Sequence, residues 1–327
     1  MGCVLCGTPI KDNRMLMTCK TAEWLRRVPK PLMANTLLTY TCSNDCVFCG
    51  PSEKRIETKG KAAGSEGVMA WLQRCSDAGT NLVVFSGAAD PFTHKDLSRF
   101  IEKSVRGNMH PFCYTQAHVN SRRIQDAVTA GLNEIMVSVH GHNSFVHELN
   151  TRSFGSFKLT MRGLEHIRDA GLYTMTNTVI TKYNVDYLEE ITELLAFQYG
   201  VEEMAFSFPR VEGSVKKNSD CIPLYEEAAH ALRAVLERLS SAGKRATVEY
   251  MPSCYLATNS YEMMPDFPTF YKDASHDITI KPSDVEWHYP TVCADCTLRS
   301  QGCQGVDCHL PFPFRAGPLK SVTTLTT

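Results

Sequence analysis

No long hydrophobic run, no block of like charge and no low-complexity segment interrupts the 327 residues. Without an apolar stretch near the length of a bilayer core there is no candidate spanning helix. The first thirty residues also lack a charged start followed by an apolar signal core. A cytoplasmic protein without a membrane partner is therefore expected. Lys and Arg number 34 against 35 Asp and Glu, a formal net charge of -1. Nucleic acid is not an expected partner, because neutralising phosphates takes clustered cations. No internal repeat marks a solenoid or propeller. Hydrophobic residues at 43% and charged residues at 21% are those of an ordinary globular chain. The length allows one large domain with an appendage, or two domains.

Cysteine, by contrast, is abundant, with 14 in the chain. In a reducing compartment such residues read as metal ligands or buried thiols and not as a disulfide framework. The organising stretch is Cys42-Ser43-Asn44-Asp45-Cys46-Val47-Phe48-Cys49, which directly follows the apolar run 34–41. Three thiolates can each bind one iron of a four-iron four-sulfur cube, whose usual complement is four cysteines, so one iron stays open to a small ligand. A zinc site normally uses paired knuckles, and no second close pair flanks this stretch.

The Cys-x3-Cys-x2-Cys spacing, with the aromatic Phe48 before the third cysteine, resembles the signature of the radical S-adenosylmethionine superfamily. The resemblance implies that Cys42, Cys46 and Cys49 hold a [4Fe-4S] cluster whose open iron chelates S-adenosylmethionine. It further implies an electron donor such as flavodoxin or ferredoxin.

Periodicity gives the fold class independently. From residue 34 onward, short β-rich runs alternate with amphipathic helical stretches, the pattern of repeated βα units on a parallel sheet. Strands are expected at 35–41, 82–86, 112–116, 135–139, 173–180 and 204–208. Helices are expected at 65–78, 95–105, 121–130, 156–170, 186–199 with Asp186 as its N-cap, and 223–242. Six right-handed units close only part of a barrel, whose chemistry gathers at the C-terminal ends of the strands. The expectation is α/β: a partial (β/α)6 barrel over 34–250, an N-terminal extension over 1–33, and a small irregular iron-sulfur domain over 251–327.

Other motifs sit at strand ends. Ser86-Gly87-Ala88-Ala89-Asp90-Pro91 stands where the family usually carries Gly-Gly-Glu-Pro, so Ser86, Gly87 and Asp90 are expected at the ammonium of the ligand. Gln116, after Thr115 where relatives often carry Thr-Asn, is a candidate for lining the cofactor pocket, against the alternative of capping its own backbone. Ser138 and Arg152 are candidates for the methionyl carboxylate, and Asn177 for that group or the ribose. His140, His142 and His147 crowd the loop after the fourth strand, where a surface role competes with a ligand contact. Cys75 and Cys113 read as core residues.

Cys293, Cys296, Cys303 and Cys308 form a Cys-x2-Cys-x6-Cys-x4-Cys array. Structural zinc is one reading. The array also looks like the C-terminal SPASM or twitch region of radical S-adenosylmethionine enzymes, which implies a second [4Fe-4S] cluster. In that reading Cys254 joins Cys293, Cys296 and Cys303, and Cys308 is left as a free thiol able to donate a hydrogen atom. Cys221 is a further candidate, and Cys3, Cys6 and Cys19 form a weak knuckle pattern.

The resemblance implies hydrogen abstraction from a small natural product, leading to epimerisation, dehydrogenation or sulfur insertion. The stretch before the first barrel strand is short for a leader-binding or cobalamin-binding domain. Modification of a ribosomal peptide is the alternative. A non-enzymatic iron-sulfur or zinc scaffold is the remaining class, and S-adenosylmethionine cleavage separates it from the other two.

Overall fold

A computed structural model describes residues 33–58, 61–86 and 89–256, together with the short segments 262–263, 269–272, 279–281, 287–288, 293–296 and 306–307. Seven parallel strands form its centre: β1 (Met33–Leu37), β2 (Leu82–Ser86), β3 (His110–Thr115), β4 (Glu134–Ser138), β5 (Tyr173–Val179), β6 (Glu203–Ser207) and β7 (Arg245–Glu249). They lie side by side in sequence order. Between them run α1 (Ser52–Thr58), α2 (Ser65–Asp77), α3 (Leu97–Arg106), α4 (Ser121–Thr129), α5 (Ser144–Thr151), α6 (Ser156–Asp169), α7 (Leu188–Thr192) and α8 (Tyr225–Ser241). No helix among the described residues is long and apolar enough to cross a membrane.

The strands bury both faces, as parallel strands under helices must. Period two sorts their side chains. Leu82, Val84, Phe112, Met136, Tyr173, Met175 and Ala205 pack together as the barrel interior. Val83, Phe85, Cys113, Ile135, Val137, Met204, Phe206 and Val248 pack outward in a common core with Leu72, Phe100, Ile101, Leu164, Ile167 and Leu236 of the helices. A one-residue slip in any pairing would exchange these two sets, so the register is strongly specified.

At the N-terminal end of the strands the interior closes on charge. His110 lies 3.6 Å from Glu134, and Glu203 sits 3.5 Å from both Arg245 and the Tyr173 hydroxyl. The C-terminal ends carry the cysteine loop.

The structure corrects the expected topology in three places. The apolar run after the last helix is a seventh parallel strand, β7, paired with β6 from Glu203↔Arg245 to Ser207↔Glu249. The tail is also less irregular than its composition suggested. β8 (Glu262–Met263) extends the sheet beyond β7, while β9 (Thr269–Lys272) pairs parallel with β1 and antiparallel with β10 (Thr279–Lys281). β11 (Trp287–His288) and β12 (Val306–Asp307) form a separate antiparallel pair. Finally, the helix expected at 186–199 is broken into a 3-10 turn Val185–Tyr187, the short α7 and a π-helical turn Glu193–Gln198. Asp186 lies inside the 3-10 turn and does not cap, whereas Asn184 accepts from the Thr181 amide at 2.7 Å.

The segment between β4 and α6 contains α5, which the sequence reading left as loop. Its N-cap is Asn143, whose side chain accepts from Val146 N, and it ends on Arg152 in a left-handed conformation.

Gly163 of α6 lies against the turn after β3, where a Cβ would stand 1.8 Å from the carbonyl oxygen of Ala117. Backbone cannot yield as a flexible side chain does, so Gly163→Ala should cost about 1–3 kcal/mol in chemical denaturation. Gly64→Ala, where a Cβ meets nothing within 4 Å, should stay within about 0.5 kcal/mol of the parent.

Candidate functional site

The three cysteines after β1 lie on a loop whose backbone is held from two sides. Asp45 N and Val47 N donate to the carbonyls of Thr151 and Asn150 at 2.9 and 3.0 Å, using acceptors that the end of α5 leaves free. On the other side Ser214 N donates to Cys49 O at 2.9 Å, and Asn218 Nδ2 to Val47 O at 3.4 Å. The approach is close enough that a Cβ on Gly213 would fall 2.0 Å from Gly50 O.

Cys42, Cys46 and Cys49 are free thiols, each partly exposed. Burial pushes the Cys46 thiol far up, and the neighbouring Cys49 and Cys42 add to the shift. Burial likewise raises Cys49, against the pull of Arg55, whose guanidinium lies 3.8 Å from its sulfur. Among the described residues no three Cys, His, Asp or Glu side chains converge on a single ion. A mononuclear zinc site needs such convergence. A cube takes one thiolate per iron and needs no such convergence.

Gln116 comes to this loop from the end of β3. Its Nε2 donates to Cys42 Sγ at 2.7 Å, and Ser43 Oγ is 3.4 Å from its Oε1. Ser43 Oγ also pairs with His118 Nδ1 at 2.9 Å, and His118 Nε2 with Thr160 Oγ1 at 3.1 Å. Thr160 Oγ1 in turn donates to Gln116 O at 3.0 Å, which commits its only proton. His118 therefore donates from Nε2 to Thr160 and accepts from Ser43 at Nδ1.

Asp90 is buried, and its carboxylate accepts from Phe92 N at 3.0 Å, Thr115 Oγ1 at 2.7 Å and Gln116 N at 3.0 Å. Burial raises its pKa, with these donors pulling the other way. It ties the loop after β2 to the end of β3, so its lone pairs are largely committed within the protein. Ser86 donates to Asn35 Oδ1 on β1. Gly87 lies outside the described residues.

The inward positions at this end form a polar layer. Ser138 and Asn177 are register partners on β4 and β5. Asn177 Oδ1 is 2.8 Å from Ser207 Oγ, which is 3.1 Å from Glu249 Oε2. Sequence reasoning missed Asn35, Ser207 and Glu249. Extending the two-residue alternation to the middle of β1 and to the last positions of β6 and β7 would have found them. Arg152 points elsewhere: its guanidinium donates to Asn218 Oδ1 at 2.6 Å, and no hydrogen bond joins it to Ser138.

Two of the histidines expected on the loop are interior. His140 and His147 are buried, with rings stacked 5.9 Å apart, and Phe48 meets His140 edge-on at 4.6 Å. Val179 N donates to His140 Nδ1, and His140 N to His147 Nδ1, each at 3.2 Å, which places the ring protons on Nε2. His142 packs against Tyr187.

Of the C-terminal ligand candidates, Cys254 sits in the turn Ser253–Tyr255 and packs against the main core. Cys293 and Cys296 share one turn, with Cys296 N donating to Cys293 O at 3.3 Å. Cys303 and Cys308 lie outside the described residues, as do Cys3, Cys6 and Cys19. Cys75, Cys113 and Cys221 are buried.

A partial parallel barrel with an open three-cysteine loop at its mouth defines a class of cluster-bearing α/β enzymes. Residues 36–195 match the family model of the Radical SAM superfamily, so this segment is a Radical SAM domain. It is 24% identical over 181 residues to the AdoMet-dependent heme synthase of Nitratidesulfovibrio vulgaris, a match covering 54% of this chain and 45% of that protein. It is 20% identical over 272 residues to the PqqA peptide cyclase of Ruegeria pomeroyi, covering 82% of this chain and 71% of the relative. Its fold is similar to that of SuiB from Streptococcus suis bound to the precursor peptide SuiA, with TM-score 0.59 and 12% identity over 78% of this chain and 61% of that one. The chain thus spans less than half of the heme synthase and about three-fifths of SuiB.

Burial holds His118 and His140 below the usual histidine range, and pushes His147 down to about 3. The unfolded chain takes up these protons near pH ~6.5 while the folded chain does not. Stability from these groups is therefore fully present above about pH 6.5 and is lost progressively as pH falls below it. The urea midpoint of the metal-free protein should drop between pH 7.5 and 5.5, and His147→Leu should flatten that drop.

Proposed function

We propose that Cys42, Cys46 and Cys49 hold a four-iron four-sulfur cluster whose remaining iron binds S-adenosylmethionine, and that the protein acts on an unactivated C–H bond of a peptide. The observation that carries this reading is the three-thiol loop clamped at the polar mouth of a partial barrel. When bound and reduced, the cluster supplies the electron that cleaves the sulfonium to methionine and a 5′-deoxyadenosyl radical, the hydrogen-abstracting species.

The chain's own residues bind, orient and shield. The loop after β2, with Ser86 and Gly87, meets the ammonium of the ligand, and Asp90 fixes that loop. Ser138 and Asn177, adjacent on β4 and β5, face the ribose and carboxylate, with Arg152 near the rim. Phe48, seated on His140, covers one side of the cysteine loop. The plug of His110, Glu134, Glu203 and Arg245 closes the far end of the barrel to water. A flavodoxin or ferredoxin is the proposed electron donor.

A peptide substrate is supported by the similarity to PqqA peptide cyclase over most of this chain and by the fold shared with peptide-bound SuiB. The heme synthase similarity supports a second reading, a small-molecule substrate. Incubating the reduced, reconstituted protein with S-adenosylmethionine and deuterated candidates of both kinds separates them, since deuterium enters 5′-deoxyadenosine only from the true substrate.

Replacing Cys42, Cys46 and Cys49 together by alanine should abolish 5′-deoxyadenosine formation; undiminished cleavage would refute the assignment.

A second [4Fe-4S] cluster on Cys254, Cys293, Cys296 and Cys303 is part of this reading. Anaerobic reconstitution should give about eight irons per chain. Cys254→Ala should lower that content, and Cys308→Ala should keep it and change only turnover or product. Four irons with one zinc, or iron lost from the Cys308 variant instead, would overturn the ligand set.

A further inference from the structure

We infer that Gln116 is a positioning residue that sets the reduction potential of the cluster through Cys42. The inference rests on the cluster assignment above. It begins with an asymmetry among the three thiols. Cys42 Sγ faces two donors, Gln116 Nε2–H and Asn44 N–H, the latter at 3.4 Å, whereas the side-chain donor to Cys49, Arg55, stands at 3.8 Å.

The amide is oriented by its surroundings. With Cys42 as a thiolate ligand, a reversed amide would set its oxygen, an acceptor, against the sulfur. The backbone that carries it is fixed at both ends. Gln116 N donates to buried Asp90, Gln116 O accepts from Thr160, and Ala117 follows in a left-handed conformation with φ of 60°. Gly163 presses on the carbonyl of Ala117 with no room for a Cβ. The donor thus stands on a rigid strand end and not on a mobile loop, the condition under which a hydrogen bond to a ligand atom holds its geometry.

A donor at a ligand sulfur stabilises the more negative, reduced cluster more than the oxidised one, and so raises the potential. In this arrangement the third strand delivers to the first cysteine a contact that eases one-electron reduction by a weak donor. The buried Asp90 has a corresponding part: it holds the strand end from which Gln116 reaches the thiol.

The experiment is a spectroelectrochemical titration of the anaerobically reconstituted full chain, with iron content and the electron paramagnetic resonance of the reduced cluster recorded on each sample. The wild-type iron content and spectrum test the cluster assignment separately. Gln116→Met, which keeps length and removes the donor, should shift the midpoint to a more negative potential and alter the g-values, with iron retained. Gln116→Glu, which sets a carboxylate against the sulfur, should shift it further. Gln125→Met on the exposed face of α4 should leave it in place. A Gln116→Met midpoint equal to wild type would overturn the inference. So would loss of iron from both Gln116 variants with wild-type circular dichroism, because the residue would then be holding the cluster and not tuning it.

Discussion

The cysteine loop has no helix or strand of its own, so its shape depends on hydrogen bonds to backbone groups that other elements leave unpaired. The last carbonyls of α5 have no partners within the helix, and the amides of Asp45 and Val47 have none within the loop. Each set satisfies the other. Buried backbone groups must be paired, and here the pairing fixes where three thiols stand relative to the barrel. Ser153, just past α5, adds a hydroxyl bond to Ser43 O at 3.1 Å, and the 3-10 turn Gly213–Lys217 presses from the opposite side. The chain therefore holds the cysteines with residues more than a hundred positions away.

The barrel interior is divided along its axis, and the division follows from the alternation of the strands. Charged residues close the N-terminal end, apolar residues fill the middle, and hydroxyls, amides and Glu249 face the C-terminal end. Burial raises Glu249, with Ser207 and then Arg210 drawing it back. Tyr114 faces the same space, its pKa raised by burial and by Glu249. A carboxyl perturbed this way at a barrel mouth, next to Ser207 and Asn177, is the kind of group that functional sites gather. The histidines on the β4 side act differently. They are buried, held neutral and packed against Phe48, so they support the cysteine loop as a wall rather than as a source of charge.

Much of the fold was legible because helix and strand periods are properties of the local chain. Leu72 and Cys75, Leu97 and Ile101, and Ile191 and Leu195 recur at helical spacing, and each pair is buried. Strand β2 and helices α2 and α6 fall within a residue or two of their expected limits for the same reason. The cysteine spacing was equally local, since three cysteines within eight residues need no partner to be recognised. α5 was hidden because its apolar stripe is short and its buried side includes His147, Asn150 and Thr151, residues whose polarity argues against a helix interior. β7 was left uncounted because its strand character comes from pairing with β6. The division of the helix expected at 186–199 into three turns of different type is not visible in composition.

The sequence by itself thus determined the parallel α/β class, the open three-cysteine loop and the family those residues resemble. Tertiary structure alone decided which side chains meet. Gln116 reaches Cys42, Ser207 links Asn177 to Glu249, and Arg152 turns to Asn218 and away from Ser138. Periodicity says which face a residue takes, but the residue it touches across the sheet depends on register and on how far the sheet curls. Those are set by the packing of all seven strands and their helices together, and no single segment carries them.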